Sequence, residues 1–106
     1  MFQRSLRRYA TLPALTYQIS PDVWASYTYQ EYYDMCCQFG RACLSLGLRN
    51  YSPVMIIGFN APEWIMAFYG AIFGRFLPIG MYTTYSPKTC QYVANHCRGE
   101  MVVVEN

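Results

Sequence analysis

At 106 residues the chain is at most one small domain, a size that buries only about two thirds of the surface its unfolded form exposes. Charged residues make up 13% of it and apolar residues, counted with tyrosine, 54%; ordinary soluble domains carry roughly 25% charge, so the composition argues against a free-standing soluble protein. Eight Lys and Arg against six Asp and Glu leave a net charge of +2, and their scatter forms no basic bank suited to nucleic acid.

The chain opens with Phe2, Leu6 and Tyr9 at helical spacing and Arg4, Arg7 and Arg8 among them, ahead of the first acidic residue, Asp22. An Arg-bearing, acid-poor start is compatible with an organellar transit peptide. The cluster is short and Pro13 ends it, which favours an ordinary amphipathic first helix. From Pro13 to Tyr29 apolar and polar positions alternate around the turn-forming trio Ser20-Pro21-Asp22, predicting a hairpin. Thr28 and Glu31 then have the spacing of a capping box. Tyr32, Met35, Cys36, Phe39, Cys43 and Leu46 fall on one stripe of the helix that follows, and Gly47 supplies its stop.

PVMIIGF, from Pro53 to Phe59, is a continuous apolar run bounded by turn residues, the pattern of a strand covered on both faces. The next helix has Asn60 placed to cap it, Glu63 three residues on and Pro62 in its first turn. After Glu63 no charge appears until Arg75. The uncharged run from Trp64 to Gly74 falls well short of the roughly 20 residues of a membrane span, and Arg75 and Pro78 interrupt its continuation. A helix buried between a sheet and another layer of protein explains it better, and Gly70 and Gly74, a GxxxG pair, predict close packing on a neighbour. RFLPIGMY reads as a second buried strand with Pro78 as its weak point. Ser86 as cap, Pro87 at the first helical position and Gly99 as stop delimit a last helix. Its Lys88, Gln91, Asn95 and Arg98 share one side; Cys90, Val93, Ala94 and Cys97 share the other. MVVVEN is a third strand. Strand, helix, strand, helix, strand in this order predicts an α/β fold: a partial parallel sheet with right-handed helical crossovers.

Candidate chemistry is sparse. Cys36, Cys37, Cys43, Cys90 and Cys97 are odd in number, contain no CxxC pair and follow no secretory signal, which predicts free thiols in a reducing compartment, acting as small core residues. His96 sits in the last turn of its helix with no nucleophile beside it, a structural position. Glu63 reads as a helix cap, and the other acidic residues show no pairing suited to acid–base work. Tyr82-Thr83-Thr84-Tyr85-Ser86 is rich in hydroxyls but lacks glycines, and its Ser86-Pro87 is better read as a helix start than as a phosphate loop. No residue is assigned a catalytic, cofactor-binding or metal-binding role.

Three segments together carry a family resemblance: YTYQEYYDMCCQFGRACLSLGL, IIGFNAPEWIMAFYGAIFG and GMYTTYSPKTCQYVANHCRGEMVVVEN. In this order and spacing they closely resemble the amino-terminal region of AMP-forming acyl-CoA synthetases, and most of all the bubblegum-type long-chain fatty acid CoA ligases. The resemblance runs from Phe2 to Asn106, with Gly-Phe-Asn-x-Pro-Glu-Trp and Tyr-Thr-Thr-x-Ser-Pro its most specific parts. One departure is Gly74-Arg75-Phe76, where that family usually has Ala-Gly-Gly. The resemblance implies that residues 1–106 are an incomplete amino-terminal segment of the large domain of an adenylate-forming enzyme. It also implies a reaction in which ATP activates a fatty acid as acyl-adenylate and coenzyme A then takes the acyl group. ATP, Mg and CoA are thereby implied for the full-length enzyme and none is expected to be bound by this segment, which lacks the family's Ser/Thr/Gly-rich phosphate loop, aromatic-Gly-x-Thr-Glu segment, ribose-binding Asp and carboxy-terminal Lys. The expected setting is cytoplasmic with peripheral membrane contact, ahead of a mitochondrial one. The expected partners are fatty acid, ATP and CoA, with no nucleic acid. Alone, the segment is expected to be inactive and prone to aggregate. The competing expectation is a non-catalytic product that binds lipid, membrane or a full-length ligase chain through its apolar face and the Arg4, Arg7, Arg8 helix.

Overall fold

The structure, a computed structural model, describes residues 2–105. In chain order its elements are α1 (Phe2–Tyr9), β1 (Pro13–Ser20), β2 (Val23–Thr28), α2 (Tyr29–Ser45), β3 (Pro53–Ile57), α3 (Pro62–Phe73), β4 (Leu77–Met81), α4 (Pro87–Cys97) and β5 (Met101–Val104). β1 and β2 form an antiparallel ladder around the expected turn, with Asp22 at φ 62°. The other three strands make a parallel sheet in the order β4-β3-β5, the expected α/β architecture.

The sheet register sorts the side chains. Val54 pairs with Pro78 and Met101, and Ile56 with Gly80 and Val103; residues paired across strands share a face. Val54, Ile56, Met101 and Val103 pack with Cys43, Ala67, Ala71 and Phe76 in the main core. Met55, Ile57, Ile79, Val102 and Val104 therefore face the other way. β5 lies on the far side of β3 from β4, so the connection through α4 recrosses β3, and a right-handed crossover in that direction runs over the face opposite α3. That face is covered at its centre, where Met55 is buried, and open along β5, where Val102 is 52% and Val104 64% exposed. Pro78 sits in β4, at an edge of the sheet, where a missing amide is tolerated.

α2 begins with the full capping box: the Glu31 amide donates to Thr28 Oγ1 at 3.2 Å, and the Thr28 amide donates to Glu31 Oε2 at 2.8 Å. Its end is a Schellman turn, with Gly47 left-handed at φ 90°, Gly47 N donating to Leu44 O and Leu48 N to Cys43 O. The buried line is Tyr32, Cys36, Gly40 and Cys43. Met35 and Leu46 are exposed, Leu46 at 68%, which narrows the expected stripe. α3 crosses at Gly40, and both residues lie to one side of that line of contact.

α3 corrects the expected cap. Its N-cap is Ala61, not Asn60, and no side chain caps it. Pro62 causes the shift: the residue before a proline is driven out of the helical region, so Ala61 is held extended at φ −145°, ψ 157° and the helix starts after it. Glu63 is then a first-turn acid favoured by the helix dipole rather than half of a capping box. A second correction falls at the end of α4. The left-handed residue there is Arg98, at φ 54°, not Gly99. Gly99 instead lies against the Met55 side chain, whose end would have to move aside for a Cβ there.

A second cluster, Tyr32, Cys36 and Met66, is joined by Phe2, Leu15, Tyr27 and Tyr69, so α1 and the hairpin dock on the α2–α3 pair. Phe2 meets the rings of Tyr32 at 4.9 Å and Phe73 at 5.4 Å, which occupies the apolar side of α1 and leaves Arg4, Arg7 and Arg8 facing out. Among the described residues no helix is long and apolar enough to cross a membrane.

Candidate functional site at the carboxyl edge of the parallel sheet

Open parallel α/β sheets take ligands in the crevice outside the carboxyl ends of their strands. Here β3 runs out at Gly58-Phe59-Asn60, β4 at Tyr82-Thr83 and β5 at Glu105. A cleft of about 500 Å³ opens between the β3 and β4 ends, and a second of about 420 Å³ between the β3 and β5 ends. Gly58, Phe59 and Trp64 line both.

Trp64 is the floor of this region. Its ring stacks on Phe68, with centroids 5.6 Å apart and planes at 13°, and it lies beside two strand ends that carry no Cβ. A Cβ on Gly80 would sit 3.2 Å from Trp64 Cζ2, and one on Gly58 3.8 Å from Cδ1. The indole therefore sits close over the end of β4 because Gly80 carries no Cβ there, and reaches the end of β3 at ordinary contact distance from Gly58. The β3–α3 loop is held by Glu105, whose Oε2 accepts the Phe59 amide at 2.8 Å. Neither the glycine pair nor the Glu105 contact was singled out by pattern. The available signal was a glycine closing each apolar strand run, IIG and PIG, which marks a close approach.

Chemically these clefts offer an aromatic surface and backbone groups. Their ionisable carboxylates are Glu63 and Glu105, and no His, Cys, Lys or Arg lines them. A nucleophile paired with a base, or a cation for phosphate, is not assembled there. The other singled-out residues lie elsewhere. Ser86 Oγ accepts the Thr89 amide at 3.1 Å, so the hydroxyl-rich segment is a turn leading into a capped helix. His96 is exposed and stacks on Tyr92 at 5.8 Å. Burial pushes the Cys36 thiol up to about 12 and raises Cys43 as well, the behaviour of inert core thiols; Cys43 Sγ lies 3.7 Å from Met101 Sδ. Among the described residues no group of three His, Cys, Asp or Glu side chains is placed to hold a metal.

The class follows from comparison with known proteins. The chain belongs to the AMP-binding enzyme family, whose model matches residues 2–106. Its fold matches the N-terminal subdomain of Klebsiella oxytoca NpsA at a TM-score of 0.86, over 99% of this chain and 26% of that one; at 13% identity this shows the fold alone.

Within the family the sequence groups with the bubblegum-type ligases. It is 42% identical over 106 residues, all of this chain, to the long-chain-fatty-acid–CoA ligase ACSBG2 of Gallus gallus. It is 38% identical over 105 residues, 99% of this chain, to the long-chain-fatty-acid–CoA ligase ACSBG1 of Rattus norvegicus. The chain spans 14% of the length of each of these relatives.

Proposed function

We propose that residues 1–106 form the opening part of the large domain of a long-chain fatty acid CoA ligase, and that their part in the reaction is architectural. The observation that carries this is 42% identity to such a ligase along the whole chain. In the proposed reaction a fatty acid carboxylate oxygen attacks the α-phosphorus of ATP and pyrophosphate leaves. The thiol of coenzyme A then adds to the acyl carbonyl, loses its proton and displaces AMP.

Both steps require donors and a cation around phosphate and a water-free site for the mixed anhydride. The carboxyl-edge clefts carry no basic residue for the phosphates, and of the two carboxylates, both in the second cleft, Glu105 is engaged by the Phe59 amide. We assign no catalytic, cofactor or metal residue to this segment and route no step through it. Its contribution is one side of a sheet: α2 and α3 cover one face, and the face carrying Val102 and Val104 is offered to the rest of the domain. We place the ligase in the cytoplasm, in contact with membrane surfaces as a source of fatty acid. The purified 106-residue chain is expected to release no AMP when given ATP, Mg, fatty acid and coenzyme A together; fatty-acid-dependent AMP release under those conditions would overturn the assignment of an architectural role.

A second reading is favoured by the same sheet face where it is open along β5, with Val102 and Val104 more than half exposed. In it the chain is a non-catalytic product that uses this face to bind lipid, membrane or a full-length ligase chain. Sedimentation with phosphatidylserine vesicles separates the two, since the architectural reading expects no binding that Val102→Ser and Val104→Ser would abolish.

A further inference from the structure

We propose that Glu105 is a positioning residue for the carboxyl-edge clefts: its carboxylate holds the Gly58–Asn60 loop that forms their common wall. The Phe59 amide donates to Glu105 Oε2 at 2.8 Å, and the Glu105 amide donates to Ile57 O at 3.2 Å. One residue at the end of β5 thus grips the chain at two points where it leaves β3. Packing does not hold the loop, because the Phe59 side chain is 69% exposed and Asn60 is exposed as well. Gly58 makes room for the grip. A Cβ on it would lie 3.3 Å from Glu105 Oε2 and 3.4 Å from Glu105 Cβ, so an alanine there would ask the carboxylate to give by a few tenths of an ångström. A carboxylate accepting a backbone amide makes a stronger hydrogen bond than a neutral acceptor, and this one is the side-chain bond that sets where the shared wall stands. The proposal concerns the geometry of this chain and stands apart from the ligase reading.

Amide hydrogen exchange tests it. In Glu105→Ala the Phe59 amide is expected to exchange about tenfold faster, while the amides of Val54 to Ile56 keep their wild-type rates. Glu105→Gln, whose side-chain carbonyl takes the same bond, is expected to restore protection. A second readout follows the clefts themselves: in a Trp24→Phe background, acrylamide should quench Trp64 more strongly once Glu105 is alanine and return to the starting level with glutamine. Unchanged Phe59 exchange in Glu105→Ala, acceleration spread equally over β3, or quenching that does not differ between alanine and glutamine overturns the proposal.

Discussion

Gly40 of α2 meets Gly70 of α3 backbone to backbone. A Cβ on Gly40 would stand 2.8 Å from the Gly70 carbonyl oxygen, and one on Gly70 would stand 2.6 Å from the Cys36 carbonyl oxygen and 2.9 Å from the Phe39 ring. The two helices cross where neither has a side chain, so the Gly70–Gly74 pair serves the α2–α3 contact. Gly40→Ala or Gly70→Ala drives a methyl into backbone that cannot rotate aside and is expected to cost about 1–3 kcal/mol, read as a lower denaturation midpoint with an unchanged m-value.

Arg75 occupies the position just past α3 at φ 64°, with Arg75 N donating to Ile72 O and Phe76 N to Ala71 O at 2.8 Å. The turn is a Schellman motif whose left-handed residue is not glycine. That conformation costs an L-residue roughly 1–2 kcal/mol, part of which glycine returns through its greater freedom in the unfolded chain. Arg75→Gly is expected to stabilise the chain by about 0.5–1 kcal/mol, measured by the shift in thermal midpoint.

Ser52 is a buried polar residue beneath the start of β3. Its Oγ donates to Glu100 Oε2 at 2.7 Å and accepts the Arg49 amide at 3.1 Å. Ser52→Ala removes both bonds, and because Arg49 and Glu100 are exposed water can take their places, so it is expected to cost about 0.5–1.5 kcal/mol. Ser52→Ala in a Glu100→Ala background should cost less, which a double-mutant cycle measures.

Titration of two groups gives stability a pH dependence of opposite sign at the two extremes. The Glu31 carboxyl is held below its ordinary value of 4.5 by the Thr28 amide first and the Thr28 hydroxyl second. Its contribution is complete above that ordinary value and is lost as pH falls through the lowered one; Glu31→Gln should flatten the acid side of the stability profile. Burial raises the Cys36 thiol from 9.0 to about 12. Its contribution is complete below 9.0 and is lost as pH climbs toward about 12. At pH 8 iodoacetamide should label Cys37, Cys90 and Cys97 and spare Cys36 and Cys43 until denaturant is added, with the modified sites read by peptide mass spectrometry.

Where a sequence signal was a strong local rule, it survived into the fold. The Thr28–Glu31 capping box, the left-handed Gly47, the Ser86-Pro87 start and the three apolar strand runs each rest on chemistry confined to a few neighbouring residues. The misreadings arose where two local rules competed or where a distant contact decided. Asn60 is a good cap in isolation, but Pro62 sets the conformation of Ala61 and moves the helix start past it. Gly99 has the composition of a helix stop, yet Arg98 takes the left-handed turn and Gly99 lies against Met55, far back in the chain. The crevice features were less legible still. That Gly58 and Gly80 flank one indole depends on the pairing of β3 with β4, and the Glu105 contact spans nearly half the chain.

The most direct test of the central claim, that this segment serves as the opening part of a long-chain fatty acid CoA ligase domain, is a segment exchange. Residues 1–106 would replace the matching stretch of the Gallus gallus ACSBG2 ligase, and palmitate-dependent AMP formation by the purified chimera, with ATP, Mg and coenzyme A present, would be measured. The account expects activity within about tenfold of the parent, together with a further loss when Gly70→Ala is added. A chimera that folds and stays monodisperse yet forms no acyl-adenylate would contradict it.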